Sequence, residues 1–86
     1  MRPSMERMLE AIVPESGRMS GTEVLRRLVE CGAVDRRSVE AAFARAEVER
    51  RVRGGEGRCR AMDEVAFELC CSYEKVRSIV YSRNIP

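Results

Sequence analysis

Apolar residues recur at three- and four-residue intervals along this chain and nowhere alternate over the length of a strand. The intervals are interrupted by Pro14, Gly32 and the run Gly54-Gly55-Glu56-Gly57. Such a pattern buries stripes of helices, and the fold class it predicts is all-α: four to five short helices. Met5, Met8, Leu9 and Ile12 share one face of a first helix that Pro14 ends. Ser20 and Glu23 form a capping box for a second, which buries Val24, Leu25, Leu28 and Val29 and stops at Gly32. Asp35 precedes a third, over residues 36–53, with Val39, Ala42, Phe43, Ala46 and Val52 as its apolar stripe. Glu47 with Arg51 and Glu49 with Arg53 are oriented as favourable pairs on that helix. Two further helical segments, near 59–70 and 73–83, follow the glycines almost without a break. With 86 residues the chain makes one small domain, residues 1–86. Residues 1–54 form a helical packing or dimerisation part, and residues 58–83 a helix pair.

Composition excludes several classes of function. Aromatic residues are 5% of the chain and tryptophan is absent, so the core is aliphatic. No run approaches the roughly 18 apolar residues of a membrane span, and no signal peptide is recognisable. Cys31, Cys59, Cys70 and Cys71 fit no metal-ligand spacing, and there is no histidine to complete a site. The expectations are no metal, no cofactor and no small-molecule ligand. Cys31 and Cys71 are expected to pack as small buried thiols, which suits a reducing cytoplasm. Lacking histidine and any nucleophile with a base beside it, the chain is not expected to be an enzyme.

Charge is close to balanced, at 16 basic against 14 acidic residues, but unevenly placed. Residues 1–44 carry seven of each sign, so the whole excess lies beyond them. Arg50, Arg51, Arg53, Arg58 and Arg60 crowd one stretch in which only Glu56 opposes them. Fifteen of the sixteen cations are arginine, a preference consistent with phosphate recognition and equally with the codon usage of a GC-rich genome.

The stretch from Val65 to Ile79 satisfies, slot by slot, the demands of two helices crossing steeply over a short turn. Ala66 is the small residue at the crossing, with Val65 and Leu69 flanking it. Cys71 is the apolar plug of the turn, Ser72 the cap of the second helix, and Val76, Ile79 and Val80 its buried stripe. Cys70 stands where a left-handed backbone favours glycine. In these residues the segment resembles the helix-turn-helix of bacterial and phage transcription regulators. The order of the parts, helices first and then a pair ending in Val80-Tyr-Ser-Arg83, is similar to that of the Mor-type activators of transposing phages.

The resemblance implies a cytoplasmic regulator of phage or mobile-element origin that binds double-stranded DNA as a homodimer, and the seven residues after Ile79 are too few for a wing, so none is expected. The second helix of such a pair lies in the major groove. That singles out Ser72, Tyr73, Glu74, Arg77, Ser78 and Tyr81 as candidates for reading bases, Arg77 foremost because a guanidinium pairs bidentately with guanine. Arg58, Arg60, Lys75 and Arg83 are candidates for phosphate, the first two placed just before the first helix of the pair. Met5, Met8, Leu9 and Phe43 are candidates for a dimer contact, or for closing the monomer's own core. The alternative is a helical protein-interaction module without DNA binding, which the small net charge of +2 suits.

Overall fold

A computed structural model describes residues 1–82. It is helical throughout, with α1 at Met5–Ile12, α2 at Gly21–Glu30, α3 at Arg36–Arg53, α4 at Arg58–Leu69 and α5 at Tyr73–Tyr81. A single 3₁₀ turn, Ser16–Arg18, lies between α1 and α2. There is no strand among the described residues. Arg83, a phosphate candidate, lies outside them.

The chain divides into two compact units, Met1–Arg36 and the remainder from Arg37 on. The boundary falls at the start of α3, whereas the sequence pattern suggests one after it, in the glycine run. The reason is that α3 buries Ala44 and Val48 in one cluster with α4 and α5.

In the first unit, Ser4 caps α1, its Oγ accepting from the Arg7 N–H at 3.1 Å. Pro3 therefore precedes the cap. Glu15 turns the chain in a left-handed conformation, φ 68°. The Glu10 carboxylate holds that turn, accepting from the Glu15 N–H at 2.7 Å and the Ser16 hydroxyl at 3.4 Å. Half of the expected capping box forms at α2: Ser20 Oγ accepts from the Glu23 N–H at 3.2 Å. The Glu23 carboxylate turns instead to Arg26 and Arg27. Gly32, at φ 83°, ends α2 as its backbone freedom allows, with Ala33 N–H bonded to Leu28 O and Gly32 N–H to Val29 O. Val13 is buried, Leu9, Val24, Leu28 and Val29 are half-buried, and Leu25 is exposed, as is Cys31. The expectations that Leu25 and Cys31 pack inside are corrected. Cys31 follows the last residue of α2, where its thiol donates to the Leu28 carbonyl at 3.5 Å.

The second unit has the clearer core: Ala44 and Val48 from α3, Ala61, Met62, Val65 and Ala66 from α4, and Val76 from α5. Val52, Leu69, Cys71, Tyr73, Ile79 and Val80 pack around it. The stripe read for α3 is therefore rotated. Ala42, Phe43 and Ala46 are exposed, and the buried line runs through Ala41, Ala44, Val48 and Val52. Four alanines and one phenylalanine on this helix leave its apolar periodicity ambiguous. Alanine covers so little area that either line costs little to expose.

The α4–α5 connection has the geometry its residues demand. Cys70 ends α4 at φ 55°, ψ 43°, with Cys70 N–H bonded to Phe67 O and Cys71 N–H to Ala66 O. A non-glycine residue there is strained by about 1 kcal/mol. Ser72 caps α5, its Oγ accepting from the Lys75 N–H at 3.1 Å. Ala66, 3% exposed, lies in the core from which both helices build.

Two stability changes follow, each measured by urea unfolding. Cys70→Gly stabilises by roughly 0.5 kcal/mol, the relieved strain exceeding the entropy that glycine adds to the unfolded chain; a lower midpoint would contradict the strain. Ala66→Leu destabilises by about 1–3 kcal/mol through overpacking, and an unchanged midpoint would mean that the site has unfilled room.

Candidate nucleic-acid interface

The outward side of α5 is set by what its inward side buries. Val76 is buried and Ile79 and Val80 half-buried, which leaves Glu74, Arg77, Ser78 and Tyr81 exposed at i, i+3, i+4 and i+7 on one stripe. Within it the Arg77 guanidinium lies over the Tyr81 ring, 5.5 Å from its centroid, a cation–π contact that limits where the arginine points. Ser72 is exposed at the head of the helix, its Oγ already accepting the capping bond. Tyr73 stands apart from the stripe. It is half-buried against the core, and its phenol is pushed above its usual pKa by hydrogen bonding to Cys59 and then by burial.

Of the phosphate candidates, Arg58 and Arg60 lie inside the first turn of α4, not before it. Gly57 caps α4 without a side-chain hydrogen bond. Arg58 is exposed and borders an open cleft of about 740 Å³ with Arg45, Glu49, Tyr81 and Ser82. Arg45 reaches from α3 to the end of α5, its Nε donating to the Ile79 carbonyl at 3.3 Å, where a cation complements the helix dipole. Lys75 is exposed beside the α4–α5 turn. Of the dimer-contact candidates, Met5 and Met8 are exposed and Leu9 half-buried on α1, and Phe43 is exposed on α3.

The arginine cluster is opposed by far more than Glu56. Arg51 donates from Nε to Glu47 (3.0 Å), from Nη1 to Glu64 (2.5 Å) and from Nη2 to Glu68 (3.4 Å). It thereby ties α3 to α4. Arg50 pairs with Glu47 at 2.6 Å, and Arg60 with Glu64 at 3.3 Å and Glu56 at 3.9 Å. The expected pair Glu49–Arg53 is not among the ion pairs of the described residues, while Glu47–Arg51 is. Hydrogen bonds from Arg50 and Arg51 hold the Glu47 carboxyl down to about 2. Glu56 and Glu64 share a hydrogen bond that raises the pKa of the first and lowers that of the second, with Arg60 lowering it further.

The sequence reading missed this network because its central contacts join residues 13 and 17 apart, on helices whose relative rotation local spacing does not give. The i, i+4 rule identified one of its local pairs, Glu47–Arg51, and not Glu47–Arg50, Glu56–Arg60 or Arg60–Glu64.

No protein-family model, no curated protein and no solved structure matches the chain. Among the described residues no group of three His, Cys, Asp or Glu side chains is placed to hold a metal, and no helix is long and apolar enough to cross a membrane.

The depressed Glu47 pKa predicts acid sensitivity of a definite sign. An ordinary carboxyl near 4.5 is lowered to about 2 on folding, so its contribution is fully present above the first value and lost as pH falls toward the second. Urea midpoints should decline across that window, less steeply in Glu47→Gln. An equal decline in the variant would remove Glu47 as a cause.

Proposed function

We propose that this chain is a sequence-specific DNA-binding transcription regulator whose α4–α5 pair acts as a helix-turn-helix, with α5 entering the major groove. The observation that carries the reading is the coincidence of three features. Cys70 adopts the left-handed turn, Ser72 caps α5, and Glu74, Arg77, Ser78 and Tyr81 share its free face. Arg77 reads a guanine, Glu74 accepts from a cytosine amino group, and Ser78 and Tyr81 complete the contact. Ser72, Tyr73 and Lys75 meet the backbone or base edges at the head of the helix. Arg58, in the first turn of α4 where Gly57 offers no capping side chain, meets phosphate. Arg60 serves less well, because Glu56 and Glu64 already hold it.

A single recognition helix buries too little surface for tight specific binding, and the reading includes a homodimer. Met5 at 76% exposure and Met8, with the half-buried Leu9, supply apolar surface for the contact in the first unit, and Phe43 supplies it in the second. Catalysis has no part in the proposal. The chain lacks histidine, and the carboxylates of the α3–α4 network are held by arginines.

Two observations favour the second reading, a protein-interaction module. Phe67 projects from α4 at 87% exposure, and three of the five clustered arginines are neutralised by neighbouring glutamates.

Binding to random-sequence duplex DNA over a salt series, with recovery of the bound sequences, separates the two. The regulator shows a steep salt dependence and an enriched motif. Arg77→Ala weakens binding to that motif by about 1–3 kcal/mol and relaxes one position of it. Absence of binding at low salt overturns the proposal in favour of a protein partner.

A further inference from the structure

The two adjacent cysteines of the α4–α5 turn line one cavity. It has a volume of about 200 Å³ and is bordered by Cys70, Cys71, Arg37, Glu40 and Lys75, with Leu69 and Ile79 as apolar walls. Cys70 is exposed and Cys71 half-buried, and both are free thiols. The pair is therefore reachable from solvent and backed by hydrocarbon.

The number of sulfurs decides what such a site holds. Zinc in a closed site takes four ligands, and among the described residues no third His, Cys, Asp or Glu joins this pair in a metal-holding group. Cys31 belongs to the other unit and Cys59 to the opposite end of α4. Two neighbouring soft donors match a soft centre with two open valences and a third already filled by carbon. We propose that Cys70 and Cys71 form a chelating site for monosubstituted trivalent arsenicals, with the organic substituent against Leu69 and Ile79. The reaction is condensation without redox change. Each thiol forms one As–S bond, both As–OH bonds of the arsonous acid break, and two waters leave carrying the thiol protons. The site does not depend on DNA binding.

Closure of the second As–S bond is intramolecular, so the chelate outlasts a one-sulfur adduct by an effective-concentration factor of about 100 or more. The test uses the full reduced chain and phenylarsine oxide, with intact-mass spectrometry and thiol titration as readouts. Circular dichroism confirms that the chain stays helical. One adduct forms with loss of two of the four thiols; excess glutathione leaves it in place, and 2,3-dimercaptopropanol removes it. In Cys70→Gly, which keeps the turn, and in Cys71→Ser, glutathione strips the adduct at about 100-fold lower concentration. The double variant Cys31→Ser/Cys59→Ser behaves as wild type. Glutathione-resistant adduct in Cys70→Gly, its loss in the double variant, or adduct formation only with loss of helicity each overturns the assignment.

Discussion

Three alanines set how closely the helices of the C-terminal unit approach. Ala44 on α3 and Ala61 and Ala66 on α4 are all at most 3% exposed, and a methyl group is the least that can separate two backbones. The remaining buried volume is then filled by Met62, Val48, Val65 and Val76, side chains of modest size, without an aromatic ring. Such a core gains less per residue than one built on phenylalanine or leucine. It also contains no buried polar or charged side chain among the described residues, so no polar desolvation cost is set against that gain. What the core does not specify through polar contacts, its rim does.

That rim is the glutamate–arginine network centred on Arg51, whose three nitrogens reach both α3 and α4. Exposed ion pairs contribute little singly, but Arg51 is only 23% exposed on its side chain, and its planar fork fixes the rotation of one helix against the other. The same contacts redistribute the charge of the molecule. A stretch that looks strongly basic along the chain is largely neutralised in three dimensions. Arg58 at the start of α4 and Lys75 and Arg77 on α5 are exposed and stand outside this network. The electrostatic character of the candidate interface therefore rests on few residues, close to one helix.

How much of this could be read beforehand follows the range of each interaction. Helix limits set by local chemistry were legible: Ser20, Ser72 and Gly32 do what their types dictate, and α3 spans the residues expected of it. Cys70 was legible even as a departure, because the turn fixes the backbone whichever residue occupies it. The buried stripe of α5 was legible because valine and isoleucine leave one line to bury. That of α3 was not, since alanines and a lone Phe43 offer two lines, and only the partner helices select between them. Leu25 and Cys31 failed for a related reason: periodicity gives a face, and the extent of cover over it depends on packing. For the candidate site, spacing gave the exposed stripe of α5. The half-burial of Tyr73 and the engagement of Arg60 depended on neighbours distant in the chain.

The placement of the tyrosines has an optical consequence. The chain has two of them and no tryptophan, and both lie on α5, one against the core and the other beneath an arginine. With excitation at wavelengths beyond phenylalanine absorption, emission from the folded protein is therefore the emission of this helix alone. Quenching by an acceptor separates the exposed Tyr81 from the shielded Tyr73. The element nominated for recognition carries its own fluorescent label, and events elsewhere in the chain register in that signal only as far as they reach α5.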